Sequence, residues 1–538
     1  MTMKNNNNTN KSSNSFVFGL TLVATLGGLL FGYDTAVISG AVGSLQAFFI
    51  DSLNIENGEA QAVVLEYRIT VYAAIYVVLL SVGGLLIKLL GRGKGILFTV
   101  LAGIVVTYII KWNFSGEPVL DSNTANSLKG FTTSSALIGC IIGGSLAGTI
   151  SRMFGRKKGL ILSAVLFSIS AIGSAAPEYM NLFGVQTLTS FIIYRIVGGI
   201  GVGIASMISP MYIAEIAPPK IRGKLVSWNQ FAIIFGMLVI YFVNYFIAKS
   251  GDQAWLDGIG WRWMFASETI PAALFLVLLI FVPETPRFMV MKNQDDKALS
   301  VLQKLNGAEK SAGILGEIKE SLKIKDAPWL SYGWLLIMIG IFLSVFQQFV
   351  GINVVLYYAP EIFKSMGSGT EASLLQTIIV GGVNLSFTVL AIFTVDKFGR
   401  KPLQVIGAVG MAVSMIALGF SFYFDSVGIG ALIIMLVYMA SFAMSWGPVT
   451  WVLLSEIFPN RIRGAMSIAV AAQWIANFVV SWTFPMLNDN TWLNDQFNHG
   501  FAYWIYGVMG IIAAVLVWKL VPETKGKTLE EMEDLWSA

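Results

Sequence analysis

Only one cysteine and one histidine, Cys140 and His499, occur in 538 residues. A single thiol excludes an intrachain disulfide and a cysteine-rich metal centre, and one imidazole leaves little scope for histidine-based metal or acid–base chemistry. Charge is scarce as well: 12% of residues are Asp, Glu, Lys or Arg, where a soluble domain carries about 25%. There is no GxxxxGK[ST] phosphate loop, which argues against an ATP-driven pump, and no nucleophile motif or metal-ligand cluster. GGIGVG at 198–203 sits inside an apolar run, so it reads as helix packing rather than a dinucleotide loop. Cys140, in LIGCIIGG, reads as packing too. Neither an enzyme nor a cofactor is expected. The net charge of +4 does not point to a nucleic-acid partner, because where the charge lies matters more than its total.

What the chain has instead is apolar length. Hydrophobic residues make up 55%, mean hydropathy is +0.71, and runs of about 20 apolar residues recur, the signature of a polytopic membrane protein in a lipid bilayer. The predicted spans are 15–41, 128–150, 157–176, 184–209, 224–249 and 262–282, then 334–358, 372–395, 402–423, 427–453, 464–486 and 500–521. Residues 1–14, rich in Asn, are expected to form a disordered tail, and 522–538 a second tail. No removable signal peptide is predicted, because the first apolar stretch is too long for one. Residues 283–333 are too polar to span and read as short amphipathic helices joining two halves, 15–282 and 334–521.

The two halves repeat. Phe154-Gly155-Arg156-Lys157 returns as Phe398-Gly399-Arg400-Lys401, EIAPPKIRG at 215–223 as EIFPNRIRG at 456–464, and Pro283-Glu284-Thr285 as Pro522-Glu523-Thr524. The offsets, 244, 241 and 239 residues, mark two similar six-helix units. In a membrane chain such repeats are the usual frame of a carrier that rocks about a central site. Basic residues gather in alternate loops: 152–158, 220–224, 292–325, 397–401, Arg461 with Arg463, and Lys525 with Lys527. The positive-inside rule makes that side, and both termini, cytoplasmic.

The halves differ in one stretch. Phe16 to Gly155 is 139 residues, whereas Trp334 to Gly399 is 65. The excess holds two further apolar runs, 69–87 and 95–110, around a turn bearing Lys88, Arg92 and Lys94. An extra transmembrane hairpin at 54–121 is predicted, giving fourteen spans. Gly83-Gly84 is expected to let it pack closely on the outside of the bundle. At about 1.5 Å per residue the second run reaches only about 24 Å unless Lys111 and Trp112 extend it, so a re-entrant segment is the alternative.

Few polar residues lie inside the spans. Asp34 is an acid in the first, Arg195 is its natural partner, and Glu268 is a second acid. Intramembrane carboxylates face cavities or partners and often relay protons; a permanent structural ion pair is the plainer reading, and spacing does not decide between them. Gln230, Gln347, Gln348, Asn353, Asn384 and Gln473 are amides that both donate and accept, matching sugar hydroxyls without demanding charge. Trp446 and Trp474 offer flat apolar faces for a pyranose. Interhelical hydrogen bonding is the alternative for each amide alone. Gly351, in QQFVGIN, is a predicted helix break that presents Asn353 beside the glutamines. Arg156, Glu215, Arg222, Arg400, Glu456 and Arg463 are expected to pair across the halves when the inner mouth is shut.

LVATLGGLLFGYDTAVISG, FQQFVGINVVLYYAPEIF, SWGPVTWVLLSEIFPN, FGRK, PETPR and PETKGK together carry a resemblance to the sugar porter branch of the major facilitator superfamily. It implies an all-α polytopic membrane protein with the major facilitator fold of two six-helix halves, here with the extra transmembrane hairpin between the first and second core helices. It also implies a bacterial inner-membrane carrier, working as a monomer, that imports a monosaccharide, D-xylose above all, with a proton. Asp34 is then the proton acceptor that pairs with Arg195, and the sugar pocket gains Phe31 and Tyr357. Related facilitative carriers have Asn where this chain has Asp34, so the acid favours symport over uniport. Other pentoses or hexoses, a uniporter, and a transporter-like sugar receptor are the alternatives. Met237 and Val437 depart from the resemblance, one replacing an amide and the other an aromatic, and loosen the choice of sugar. The hairpin lies outside the resemblance.

Overall fold

The structure, a computed structural model, describes residues 3–54, 58–181, 184–218, 221–323, 327–527, 531–532 and 536, without the side chains of residues 3–14, 113, 396, 460 and 463. Lys220, Lys325 and residues 528–530, 533–535, 537 and 538 of the second tail thus lie outside the described residues. All regular structure among the described residues is helical. Chain order gives α1 (Met3–Val37), α2 (Glu59–Leu90), α3 (Arg92–Asn113), α4 (Ser122–Phe154), α5 (Arg156–Ala175), α6 (Thr187–Ile216) and α7 (Arg222–Ala248). A broken helix α8 (Gln253–Phe281) follows. The short helices α9 (Pro286–Met291), α10 (Asp295–Asn306) and α11 (Ala308–Lys323) come next. The second half has α12 (Trp334–Ser365) and α15 (Ile429–Ile457), both interrupted, with α13 (Thr370–Phe398), α14 (Arg400–Tyr423), α16 (Met466–Asn488) and α17 (Gly500–Leu520). Fourteen of these, all but α9 to α11, are long and apolar enough to cross a membrane.

One expectation changes, and the predicted hairpin is found. Helix α1 begins at Met3, so the Asn-rich stretch assigned to a disordered tail continues the first helix; extending a formed helix needs no new nucleus. The second hairpin run is longer than its apolar core: α3 has 22 residues, about 33 Å, because Arg92 to Lys94 and Lys111 to Asn113 extend it. Of the hairpin glycines, Gly83 packs against Thr99 of α3, but Gly84 faces open space.

Packing explains GGIGVG. A Cβ at Gly199 would lie 1.8 Å from the Ala136 carbonyl oxygen, so only glycine lets α6 lie backbone-to-backbone on α4. The halves meet along two seams, α4 against α16 and α7 against α13. At the end away from the basic loops these seams carry polar links. Lys129 pairs with Asp489 at 3.1 Å, Asn126 Nδ2 donates to the Asp489 carbonyl at 3.0 Å, and Trp482 Nε1 donates to the Ser127 carbonyl at 3.1 Å. On the other seam Tyr245 donates to Glu371 at 3.0 Å. His499 ends at this pole too, its Nδ1 2.7 Å from the Asn488 carbonyl.

Candidate functional site

Asp34 and Arg195 meet in the middle of the first half, both essentially sealed from solvent. Arg195 NH1 donates to Asp34 Oδ1 at 2.7 Å, and its NH2 to the Asp34 backbone carbonyl at 2.9 Å. Gly198, one turn beyond Arg195, keeps the approach open: a Cβ there would stand 3.2 Å from Asp34 Oδ1. The Phe265 ring lies 5.3 Å from the guanidinium carbon, close enough for cation–π attraction. Glu268 is fully buried at the break in α8. Asp34 Oδ2, Arg195 Nε and both Glu268 oxygens have no hydrogen-bond partner among the described residues. One buried cation thus stands with two buried acids. Such a set is costly to hold unless its charge is balanced.

The second half supplies the amides. Helix α12 breaks at Gly351, whose φ of +89° is left-handed, and a Cβ there would press on the Tyr506 ring at 2.8 Å. The break brings Gln347, Gln348 and Asn353 together, all buried. Gln347 is the hub: its Nε2 donates to the Trp446 carbonyl at 2.7 Å, and its Oε1 accepts from Gln473 Nε2 at 2.8 Å and Gln348 Nε2 at 3.3 Å. Asn353 Nδ2 donates to Gln348 Oε1. Helix α15 is interrupted at Ser445, with φ −130° and ψ −89°, and restarts at Trp446. From the first half, Phe31 reaches across to the Trp474 ring, centroids 5.7 Å apart. Tyr357 is buried on α12, beside Asn477.

Two sequence-derived site residues and one departure from the resemblance lie outside this hydrogen-bonded group. Gln230, half-buried on α7, and Asn384, buried on α13, make no hydrogen bond to the Gln347 group among the described contacts. Val437 is half exposed, while its neighbours Met435 and Met439 are buried; two residues of helix turn a side chain about 200°, so Val437 faces away from the packed side. Gln404 was missed: its backbone carbonyl holds the Trp446 indole at 2.8 Å, and its Nε2 donates to Thr450 at 2.9 Å. A glutamine inside an apolar run, KPLQVIG, was the available signal.

The repeated motifs fold into the same cluster in each half, at the basic end. Gly155 (φ +99°) and Gly399 (φ +91°) turn one helix into the next. The exposed backbone amides of the new helix are capped by Glu284 in one half and Glu523 in the other. Glu284 accepts from Arg156 N and Lys157 N, each at 3.1 Å; Glu523 accepts from Arg400 N and Lys401 N, each at 3.1 Å. Carboxylates at helix N-termini satisfy orphan donors and meet the positive end of the dipole. Arg156 pairs with Glu215 at 2.7 Å, and Arg400 with Glu456 at 2.9 Å. In the present state these pairs lie within a half, the Gly turn aiming each arginine at the end of its own half's α6 or α15; the expected pairing across the halves belongs to the state with the inner mouth shut. Arg222 is exposed at the start of α7, and the Arg463 side chain lies outside the described residues. The caps differ electrostatically. Burial pushes the Glu284 carboxyl up, in spite of its backbone bonds and Arg156. At Glu523 burial acts the same way but is outweighed by four backbone N–H bonds, which hold it below the usual range. The caps were missed as functional residues although the repeated Pro-Glu-Thr pointed to them.

Residues 20–536 match the family model described as "Sugar (and other) transporter", a stretch that encloses the hairpin. The chain is 53% identical to the D-xylose-proton symporter of Escherichia coli strain K12, over 97% of this chain and 96% of that protein. Among solved structures, it resembles the partially occluded inward-open conformation of the xylose transporter XylE from E. coli, with a TM-score of 0.76 and 51% identity over 96% of this chain and all of that one. The proton:xylose symporter XylE bound to 6-bromo-6-deoxy-D-glucose gives 0.73 and 53%, over 97% of this chain and all of that one. With matches of this extent, on fourteen membrane-length helices built as two repeated halves, the chain is a multi-pass membrane protein of the sugar transporter family and has the major facilitator fold.

Proposed function

We propose that this chain imports D-xylose together with a proton, by alternating access of one central site. The observation that carries the reading is the sealed Asp34–Arg195 pair with an unpartnered Glu268 beside it. A proton on either acid brings that set to neutrality, so proton binding and release of the arginine are linked. Protonated Asp34 releases Arg195 and permits closure over the sugar; deprotonation restores the pair as the empty carrier returns. Gln347, Gln348, Asn353 and Gln473 supply mixed donors and acceptors, Trp446 and Trp474 the flat walls, and Phe31 and Tyr357 the boundary on either side. Gln230 and Asn384 add two further amides to the pocket, from α7 and α13. That exclusively neutral set suits a polyol better than a charged solute.

The basic end is cytoplasmic, with both termini, in a plasma membrane that is a bacterial inner membrane by kinship. Residues 15–282 and 334–521 move as two bodies, linked by 283–333, and a monomer suffices. The links between Lys129 and Asp489 and between Asn126 and Asp489 then close the outer mouth, so the state described here faces inward. The clusters around Arg156–Glu215 and Arg400–Glu456 shape each half's inner rim. One charge moving down 100 mV supplies about 2.3 kcal/mol, which supports accumulation on the order of fiftyfold.

The test is xylose uptake by reconstituted vesicles under an imposed acid gradient, with competing unlabelled pentoses and hexoses. Uphill uptake that collapses with the gradient supports symport. Uptake indifferent to the gradient overturns it in favour of facilitated diffusion, and failure of xylose to compete overturns the sugar.

A further inference from the structure

We infer that the inserted hairpin α2–α3 is a lateral strap that holds the two halves in the state closed at the end away from the basic loops. The inference rests on the alternating-access reading, but it concerns residues that reading does not use. Helix α2 runs the full depth of the bundle: Tyr67 near one end and Lys88 near the other are 21 residues, about 32 Å, apart. Along the way it lies against α4 of the first half and α16 of the second, that is, over one of the two seams between them.

At the end away from the basic loops, the hairpin is tied to the first half. Glu66 accepts from the Gln186 backbone at 2.9 Å, and the Tyr67 hydroxyl meets Ser127 Oγ at 2.7 Å. Ser127 is itself the residue whose carbonyl receives the Trp482 indole of the second half. The Tyr67 ring stacks edge-on against Phe131, 5.4 Å away, and Phe131 in turn against Trp482 at 5.5 Å. Hairpin, first half and second half therefore share one junction. At the basic end the turn reaches the second half's side. Lys88 Nζ lies 6.0 Å from the Trp329 ring, and Leu89 is buried. Trp329 packs on Gly464, and its neighbour Ala327 donates to the Arg461 carbonyl at 2.9 Å. By contrast, the outer face of α3, with Ile104, Val105 and Tyr108, is exposed and apolar, as a lipid-facing surface requires.

Rocking the halves so that this junction opens pulls Trp482 off Ser127, and it shifts the linker and Trp329 relative to Lys88. The hairpin's contacts with α16 and with Trp329 cross the seam, and Tyr67 holds the Ser127 on which Trp482 docks, so these weigh against leaving the present state.

Spin labels at Tyr179→Cys and Trp492→Cys, both exposed and on opposite halves, report the distance across this end by double electron–electron resonance; the sealed Cys140 stays in place. Tyr67→Phe and Trp329→Ala are each expected to raise the ratio of long to short distances about threefold to fivefold, and the double variant tenfold or more. Ile104→Ala is expected to leave the distribution unchanged. A double variant whose distances superimpose on the parent, while sugar and acid pH still shift the parent, overturns the strap. A parent that shifts under neither condition overturns alternating access itself.

Discussion

Replacing Asp34 by Asn removes one charge and keeps the shape. The Asn carbonyl still accepts from Arg195 NH1, now at 2.7 Å from Asp34 Oδ1, and the backbone bond from NH2 at 2.9 Å is untouched. What is lost is charge assistance, about 1–1.5 kcal/mol per bond, together with part of the about 3–5 kcal/mol that follows when a buried ion loses its partner altogether. With two retained acceptors, about 2 kcal/mol is the expected net loss, a shift of about thirtyfold in favour of states where Arg195 is free of residue 34. The carrier should then exchange labelled for unlabelled xylose across a vesicle membrane at a rate near that of the parent, yet fail to concentrate it when the outside is acidified. Accumulation ratios fall to about 1. If Asp34→Asn vesicles still concentrate xylose under the proton gradient, the coupling acid has been misassigned, and Glu268 becomes the group to replace.

Gly155→Ala should harm the protein more than Gly399→Ala. Both force a side chain into left-handed backbone, about 1–2 kcal/mol, but the new Cβ meets Glu284 Oε2 at 2.2 Å and Glu523 Oε2 at only 2.8 Å. Displacing the Glu284 cap adds about 1–2 kcal/mol, read as a lower melting temperature in detergent. Glu523→Gln should lower the melting temperature at neutral pH. Because the folded carboxyl titrates below its usual range, its stabilisation is present above the unfolded pKa and fades as pH falls through the folded one, so parent and variant should converge once the pH drops below that depressed range. Glu284, shifted the other way by burial, should show no such convergence. Gln347→Ala strands the Trp446 carbonyl and Gln473 Nε2, and it is expected to weaken xylose binding about tenfold to a hundredfold in a calorimetric titration.

Much of the architecture is legible because membranes constrain it: apolar length sets the spans, and the 74-residue excess before Gly155 locates the hairpin. Gly351 betrayed its break by sitting among amides in an otherwise apolar run, and the backbone does turn there. Partnerships were harder to read. A constant offset between motifs says that Arg156 and Arg400 are equivalent, not which carboxylate each one touches in a given state. Gln230 and Asn384 look like Gln347 in a hydropathy profile, yet helix rotation and tilt, set by packing rather than composition, decide which amides hydrogen-bond to one another.

The repeated Pro-Glu-Thr makes the same point from the other direction. A glutamate that follows a proline just past a span looks like a surface charge. Its meaning comes from a glycine more than a hundred residues away, whose positive φ exposes two backbone donors. Gly155 with Glu284, and Gly399 with Glu523, are therefore one device each rather than two motifs. A double-mutant cycle tests this. Glu284→Gln alone and Gly155→Ala alone each lose the cap, so combining them should cost little beyond the larger single effect. Strict additivity of the two melting shifts would show that the glycine and the acid act independently.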